Sequence, residues 1–258
     1  MPTLPSDRRD MAGSFGADAE RYDRTRPHYP AEMVGELVEA PARVLDVGIG
    51  TGISALPFHE AGCTVLGIEP DERMAALARA RGFEVEIARF EEWDPAGRTF
   101  DAVVAGTTWH WVDAAAGARR AAEVLPAGGR FAAFWNVGDP PPEVAAGFAA
   151  VYAAVDHGLP IAPPSGSMRE GYQRILDVAA EGLRASGAFT EPDRLRWDRR
   201  VTLTRDRWLD QAQTSGGHQL LPPHVRAALL DGMGEVVDRV GGSFVMEYAT
   251  LALRARRR

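Results

Sequence analysis

The sequence predicts an α/β fold built on a doubly wound, mostly parallel sheet. Three observations lead there. Arg43-Val-Leu-Asp-Val-Gly-Ile-Gly-Thr-Gly52 is a short apolar run that ends in an acid and feeds straight into glycines at alternate positions. Cys63-Thr-Val-Leu-Gly-Ile-Glu69 is a second apolar run closed by a carboxylate, about 20 residues beyond the glycines. Strand-like and helix-like stretches then alternate as far as Trp135. Such alternation places helices on both faces of a parallel sheet and ligands at the carboxyl ends of its strands.

Met1 to about Gly16 reads as loosely ordered. From Phe15 to Glu39 aromatic and apolar residues mix with charges, and Pro27 and Pro30 separate short helices. The first strand, near Arg43, has the length of a buried parallel strand. Gly48, Gly50 and Gly52 follow, the residue type needed where the backbone takes positive φ or a ligand lies against its N–H groups. A dinucleotide fingerprint needs its third glycine one residue later, where Ile53 stands, so the spacing points away from a nicotinamide cofactor. A helix near Ile53 leads to the second strand, near Thr64, whose closing Glu69 is placed to grip a ribose diol.

Pro70 and Asp71 open a helix over Glu72 to Arg81. Further strands are expected near Glu84, Phe100 and Arg130, with a helix near Ala114. After Trp135 the rhythm breaks. Asp139-Pro-Pro-Pro142 reads as a stiff linker, Glu143 to Asp156 as a helix, Gly158 to Ser167 as a Pro/Gly/Ser loop, and the next stretch to about Ser186 as another helix. This is longer than an ordinary connection, which marks it as functional, most simply a substrate lid. Arg194 to Leu203 reads as a strand, Asp206 to Gln213 and Pro223 to Val240 as helices, and Phe244 to Leu253 as a last strand.

Composition narrows the function. The 258 residues are 45% hydrophobic, enough to bury one sizeable core in a single domain. A net charge of −7 argues against affinity drawn from phosphate contacts, so nucleic acid is not an expected partner. Arg254-Ala-Arg-Arg-Arg258 reads as a short solvated tail. The single cysteine, Cys63, leaves no intrachain disulfide and reads as a small core residue. No apolar segment suits a signal peptide or a membrane span, so a soluble cytoplasmic protein is expected, a monomer or a homodimer. No His/Cys/Asp group has metal-ligand spacing.

With its acid, Gly-x-Gly-x-Gly turn and second strand-end acid, the chain resembles the class I S-adenosylmethionine-dependent methyltransferases. Phe100-Asp-Ala-Val-Val-Ala-Gly-Thr-Thr-Trp-His-Trp-Val-Asp113 is similar to that family's fourth strand and loop, and Val124-Leu-Pro-Ala-Gly-Gly-Arg-Phe-Ala-Ala-Phe-Trp135 to its turn and fifth strand. Tyr22-Asp-Arg-Thr-Arg-Pro-His-Tyr-Pro30 and Trp109-His-Trp111 resemble the small-molecule branch that includes trans-aconitate methyltransferase-like proteins. The resemblance implies a Rossmann-like sheet completed by an antiparallel C-terminal hairpin. It also implies a cap over 1–40, a cofactor-binding core over 41–136, a lid over 137–190 and completing strands and helices over 191–258.

It implies S-adenosyl-L-methionine as cofactor, held by Asp46, Gly48, Gly50, Gly52, Glu69, Pro70, Phe90 and Thr107. Met74 is either core or a floor beneath adenine. Arg89 stands where many relatives carry an adenine-facing Asp, which passes that role to Glu91 and backbone groups. Tyr22, Arg26, Tyr29, Trp109, Trp111 and Trp135 are candidates for the cap and an aromatic pocket that suits a sulfonium cation. Gly106-Thr-Thr-Trp109 replaces the Asn/Asp-Pro-Pro-Tyr/Phe tetrapeptide of amino-directed nucleic-acid enzymes, which leaves a small-molecule acceptor. His110 is either a general base at the mouth of the fourth strand or a residue packed to hold the loop. His218 is a second candidate base, and His28 reads as part of the cap. Two other functions fit the same residues: a cyclase or rearrangement enzyme on this scaffold, and a non-catalytic binding protein that retains it.

Overall fold

The apolar runs pair in sequence-skipping order. In the computed structural model, which describes residues 13–157, 168–215 and 217–258, the parallel strands are β1 (Arg43–Val47), β2 (Thr64–Glu69), β3 (Glu84–Ile87), β4 (Ala102–Gly106) and β5 (Arg130–Asp139). Two long strands, β6 (Asp193–Thr204) and β7 (Ser243–Arg256), add antiparallel to β5 and complete a seven-stranded sheet in the order β3-β2-β1-β4-β5-β7-β6. β1 and β4 are buried along nearly their whole length, as strands covered on both faces must be. Edge strand β6 instead alternates: Leu195, Trp197, Val201 and Leu203 turn inward while Arg194, Arg196, Asp198 and Arg200 are exposed, charges that blunt a free edge.

Helices begin where the sequence supplies caps. Asp71 accepts from the Arg73 amide to start α4 (Glu72–Ala80), and Asp113 accepts from the Ala115 and Ala116 amides to start α5 (Ala114–Val124). The remaining helices are α1 (Ala19–Thr25), α2 (Met33–Leu37), α3 (Leu56–Glu60), α6 (Pro142–Ala154), α7 (Met168–Ser186), α8 (Arg205–Ala212) and α9 (Pro223–Arg239). Two apolar clusters cover the sheet's faces. One holds Leu45, Val103, Phe131 and Trp135 under α5 and α7, and the other Val44, Val104, Phe58 and Phe134 under α2 to α4. A third cluster joins Val144 and Phe148 of α6 to Met233 and Val236 of α9 and to Phe244 and Met246 of β7. Cys63 is buried, as expected.

Three expectations change. The C-terminal arginines are not a solvated tail: β7 runs to Arg256, paired with Arg130, Ala255 is buried, and Arg257 donates to the Ala122 and Ala188 carbonyls. Asp139, expected to open a linker, is still strand, because β5 stays paired with β7 until Asp139 meets Glu247. Of the stretch assigned to a lid, α7 belongs to the main core through Leu176, Ala179, Ala180 and Leu183, while Met168, Arg169 and Tyr172 at its start reach the cavity with α6. The expected loop Gly158 to Ser167 lies outside the described residues, as do residues 1–12 of the segment read as loose. Phe15–Asp18, which begins within that segment, forms a 3₁₀ turn packed so closely that a Cβ on Gly16 would meet Asp71 Oδ2 at 2.1 Å.

Candidate functional site

The carboxyl ends of β1, β2, β4 and β5 open into a cavity of about 1590 Å³, roofed by the N-terminal segment and by α6. Its floor is the glycine turn. Gly48, Gly50 and Gly52 all have positive φ (66°, 57° and 92°), which an L side chain rarely adopts. Gly48 has a second reason to be glycine, since a Cβ there would lie 2.2 Å from Thr108 Cγ2. Its carbonyl accepts from the Thr108 hydroxyl, tying the turn to the loop after β4. Gly50 faces open space: a Cβ there would meet nothing closer than Met74 Cε, at 3.5 Å, and the Gly48 carbonyl, at 4.0 Å, so a ligand can lie against it.

Glu69 closes β2 beneath this turn. One carboxyl oxygen accepts from the Gly50 amide at 3.0 Å and the other from the Asp71 amide at 2.9 Å, which locks the side chain while leaving each oxygen a lone pair. Burial pushes its pKa up to about 7, and those two backbone bonds hold it back. Asp46 is fully buried behind the turn, accepts from the Ser54 hydroxyl at 2.7 Å, and is likewise pushed up to about 7 by burial. Asp46 and Gly52 therefore do not line the cavity; they brace the turn, with Gly52 packed on Phe83. Pro70, Met74, Phe90, Glu91 and Thr107 do line it. Glu91 also accepts from the Asp113 amide, so its carboxyl braces the start of α5.

The cap is anchored to this floor. Tyr29 bonds Thr107 Oγ1 through its hydroxyl at 2.8 Å and packs edge-on against Phe134. The Asn136 side-chain amide donates to the Pro27 and His28 carbonyls and its oxygen accepts from Thr250, which couples cap and sheet. The His28 ring is exposed, consistent with a cap residue. Asp23 pairs with Arg81, and Arg24 with Asp210 of α8. Arg26 lines the cavity, lies 4.6 Å over the Tyr22 ring and donates to the Thr214 carbonyl.

The aromatic candidates divide. Tyr22, Tyr29 and Trp111 line the cavity, whereas Trp109 and Trp135 are wholly buried outside it. Trp109 packs on Phe131 in the core. Trp135 acts through His110: its indole N–H donates to His110 Nδ1 at 3.0 Å. An indole nitrogen can only donate, so Nδ1 must accept and the neutral ring carries its proton on Nε2. Burial pushes His110 down to about 4. With Nδ1 engaged by Trp135 and the proton on Nε2, the ring stands on the cavity wall as a hydrogen-bond donor. His218 is buried, also pushed down to about 4 by burial, and sits 2.6 Å from the Tyr152 hydroxyl. It lies on the cavity wall beside α6 and α8, not at the surface.

Sequence reasoning missed Phe15, Thr108, Asn136, Tyr152, Tyr172 and Trp208 on that wall. No spacing marks Tyr152, Tyr172 and Trp208, because the later helices that carry them approach the cavity only through tertiary packing.

Residues 44–129 match a family described as a methyltransferase domain. The matched stretch, from β1 to the turn before β5, is thus similar to a methyltransferase domain. Uncharacterized methyltransferases of Mycobacterium tuberculosis and Mycobacterium bovis are 38% identical over 135 residues, 51% of this chain and 56% of theirs. The chain thus spans little more than half the length of these curated relatives. A solved structure described as a type II methyltransferase, from Anaeromyxobacter dehalogenans, superposes with a TM-score of 0.60 at 21% identity, over 90% of this chain and 97% of that one. Phosphoethanolamine N-methyltransferase 2 of Haemonchus contortus, solved with S-adenosyl-L-methionine, shares the fold at a TM-score of 0.53 and 14% identity, over 100% of this chain and 60% of that one. The methyltransferase match takes in the glycine turn, Glu69, Met74, Thr107 and His110. Among the described residues no group of His, Cys, Asp and Glu is placed to hold a metal ion, and no helix is long and apolar enough to cross a membrane.

Proposed function

We propose that the protein transfers the methyl group of S-adenosyl-L-methionine to a small-molecule acceptor. The observation that carries this reading is the joining of two spaces: the glycine turn with Glu69 and the wall built by α6, α8 and α9 open into the same cavity. That volume exceeds what one drug-sized ligand needs, and so has room for cofactor and acceptor together.

Bound at the turn, the cofactor supplies an activated methyl on a sulfonium centre. The protein's part is binding, orientation and exclusion of water. The spare lone pairs of Glu69 suit ribose hydroxyls, and the apolar sides of Met74 and Phe90 suit an adenine ring. Arg26 is the cap's cation on the cavity wall and suits the carboxylate of the cofactor's amino-acid end. Tyr22, Tyr29 and Trp111 present π faces and edges, favourable surroundings for a sulfonium. His110 Nε2–H serves as a donor that orients the acceptor. With neither candidate histidine poised as a base at neutral pH, rate enhancement comes from alignment and desolvation. The enclosed cavity and the acidic overall charge favour a small molecule over a nucleic acid.

Incubation with methyl-labelled cofactor and a panel of small acceptors tests this reading. The expected result is S-adenosylhomocysteine formed in step with label on the acceptor. Acceptor conversion without S-adenosylhomocysteine would indicate the cyclase or rearrangement alternative, and binding without any conversion the non-catalytic one.

A further inference from the structure

The cavity is not uniform in chemistry. Every side chain that α6, α8 and α9 contribute to it is uncharged, including Phe148, Trp208 and Met233. Phe148 and Trp208 stack nearly parallel, 5.1 Å apart at 12°, and form one wall of this lobe. The charges that β5, β6, β7 and α7 bring to the cavity are engaged with one another: Arg169 lies 3.0 Å from Asp139 and 3.5 Å from Glu247, and Arg200 lies 3.9 Å from Glu247. Arg26, on the cap, bonds the Thr214 carbonyl and is matched to the cofactor's carboxylate.

Two polar pairs stand within the lobe beside Ser215: Gln211, whose side-chain amide is engaged with the Tyr248 hydroxyl, and Tyr152–His218, with 2.6 Å between hydroxyl and Nε2. Both rings line the cavity. If the phenol donates to Nε2, its oxygen keeps a lone pair for a ligand; if Nε2–H donates to the phenol, the phenol O–H is free to donate. A ligand hydroxyl suits either tautomer, as donor to the phenol oxygen in the first and as acceptor in the second, whereas a carbonyl suits only the second. A charged group in this lobe would meet no counter-ion and would lose its hydration without repayment.

From this arrangement we infer that the methyl acceptor is an uncharged, largely apolar molecule whose body lies against Phe148 and Trp208 and whose hydroxyl is held by the Tyr152–His218 pair. The inference rests on the methyl-transfer reading and names an acceptor class that the sequence leaves open.

The probes are 2-naphthol and 2-naphthoate, one aromatic body with a neutral or an anionic head. Each is titrated at neutral pH into the full-length chain, with and without saturating S-adenosylhomocysteine. Naphthol should bind at least about tenfold tighter than naphthoate in both settings. Tyr152→Phe should weaken naphthol about five- to tenfold, by one lost hydrogen bond to a buried group, while naphthalene binding stays unchanged. Ala149→Trp, on the half-exposed side of α6 where folding tolerates it, should fill the lobe and abolish naphthol binding without altering S-adenosylhomocysteine affinity. Equal or tighter binding of naphthoate, or no effect of Ala149→Trp, overturns the inference. So does the absence of naphthol binding at millimolar concentration. Failure of S-adenosylhomocysteine to bind while naphthol still binds in the lobe counts against the methyltransferase reading alone.

Discussion

His110 shows how one hydrogen bond decides a residue's chemistry. The sequence places it between two tryptophans at the carboxyl end of a strand, a reasonable post for a base, but it does not reveal that a third tryptophan, Trp135 from β5, donates to Nδ1. That contact crosses from strand end to neighbouring strand, so only the pairing of β4 with β5 brings it about. The ring gains a proton only below about pH 4, because burial opposes the charge. As pH falls from about 8 to 5, His110 therefore stays neutral and Nε2–H stays a donor. At saturating cofactor and acceptor His110 should add no limb to the pH profile of turnover over that range, whereas Glu69 and Asp46, raised to about 7, titrate within it whichever residue stands at 110. His110→Gln, which keeps a donor, should retain most activity, and His110→Ala should lose about tenfold. A wild-type acidic limb near pH 6 to 7 that disappears in His110→Gln would restore the base. Glu69 and the glycines, by contrast, were legible from spacing, because a turn that needs positive φ admits few residue types.

The helices that cover the cavity differ in how they are held. α7 is a structural layer: Leu176, Ala179, Ala180 and Leu183 are buried against the sheet and α5. α6 packs instead on α9, where glycines bring the two together; a Cβ on Gly147 would lie 2.6 Å from Val236 Cγ1 and one on Gly232 2.8 Å from Val151 Cγ1. Its apolar contacts belong to the third cluster, apart from the two that clamp the sheet. The sequence made both look alike, as helices in one long connection, since amphipathic period reports that a face is buried but not against what. Hydrogen exchange should separate them. α7 amides should exchange as slowly as those of β4 and β5 with or without ligand, whereas α6 and the Phe15–Tyr29 cap should gain protection when S-adenosylhomocysteine and acceptor bind. Equal protection of α6 and α7 without ligand, unchanged on binding, would remove the lid.

At the level of the molecule, the parallel half was readable because each strand is a closed apolar run ending at a turn or an acid, and its central strands are buried on both faces. The antiparallel half was readable in outline only. β6 carries charges on its open face, and β7 continues through the terminal arginines because Arg254 and Arg256 extend from a strand whose intervening Ala255 is buried. Composition marks that basic run as solvent-exposed tail, while pairing with β5 and contacts to Ala122 and Ala188 make it part of the sheet. α6, α8 and α9, packed with the end of β7, line the same cavity as the glycine turn, so the lobe of Phe148 and Trp208 opens onto that floor. The proposed methyl transfer depends first on that floor. Calorimetric titration of the full-length chain with S-adenosylhomocysteine tests it directly. Saturable binding is expected at one site per chain, weakened by about 1–3 kcal/mol in Glu69→Ala through lost hydrogen bonds to the ribose. Tight binding of NADH with no response to S-adenosylhomocysteine, or unchanged affinity in Glu69→Ala, would contradict it.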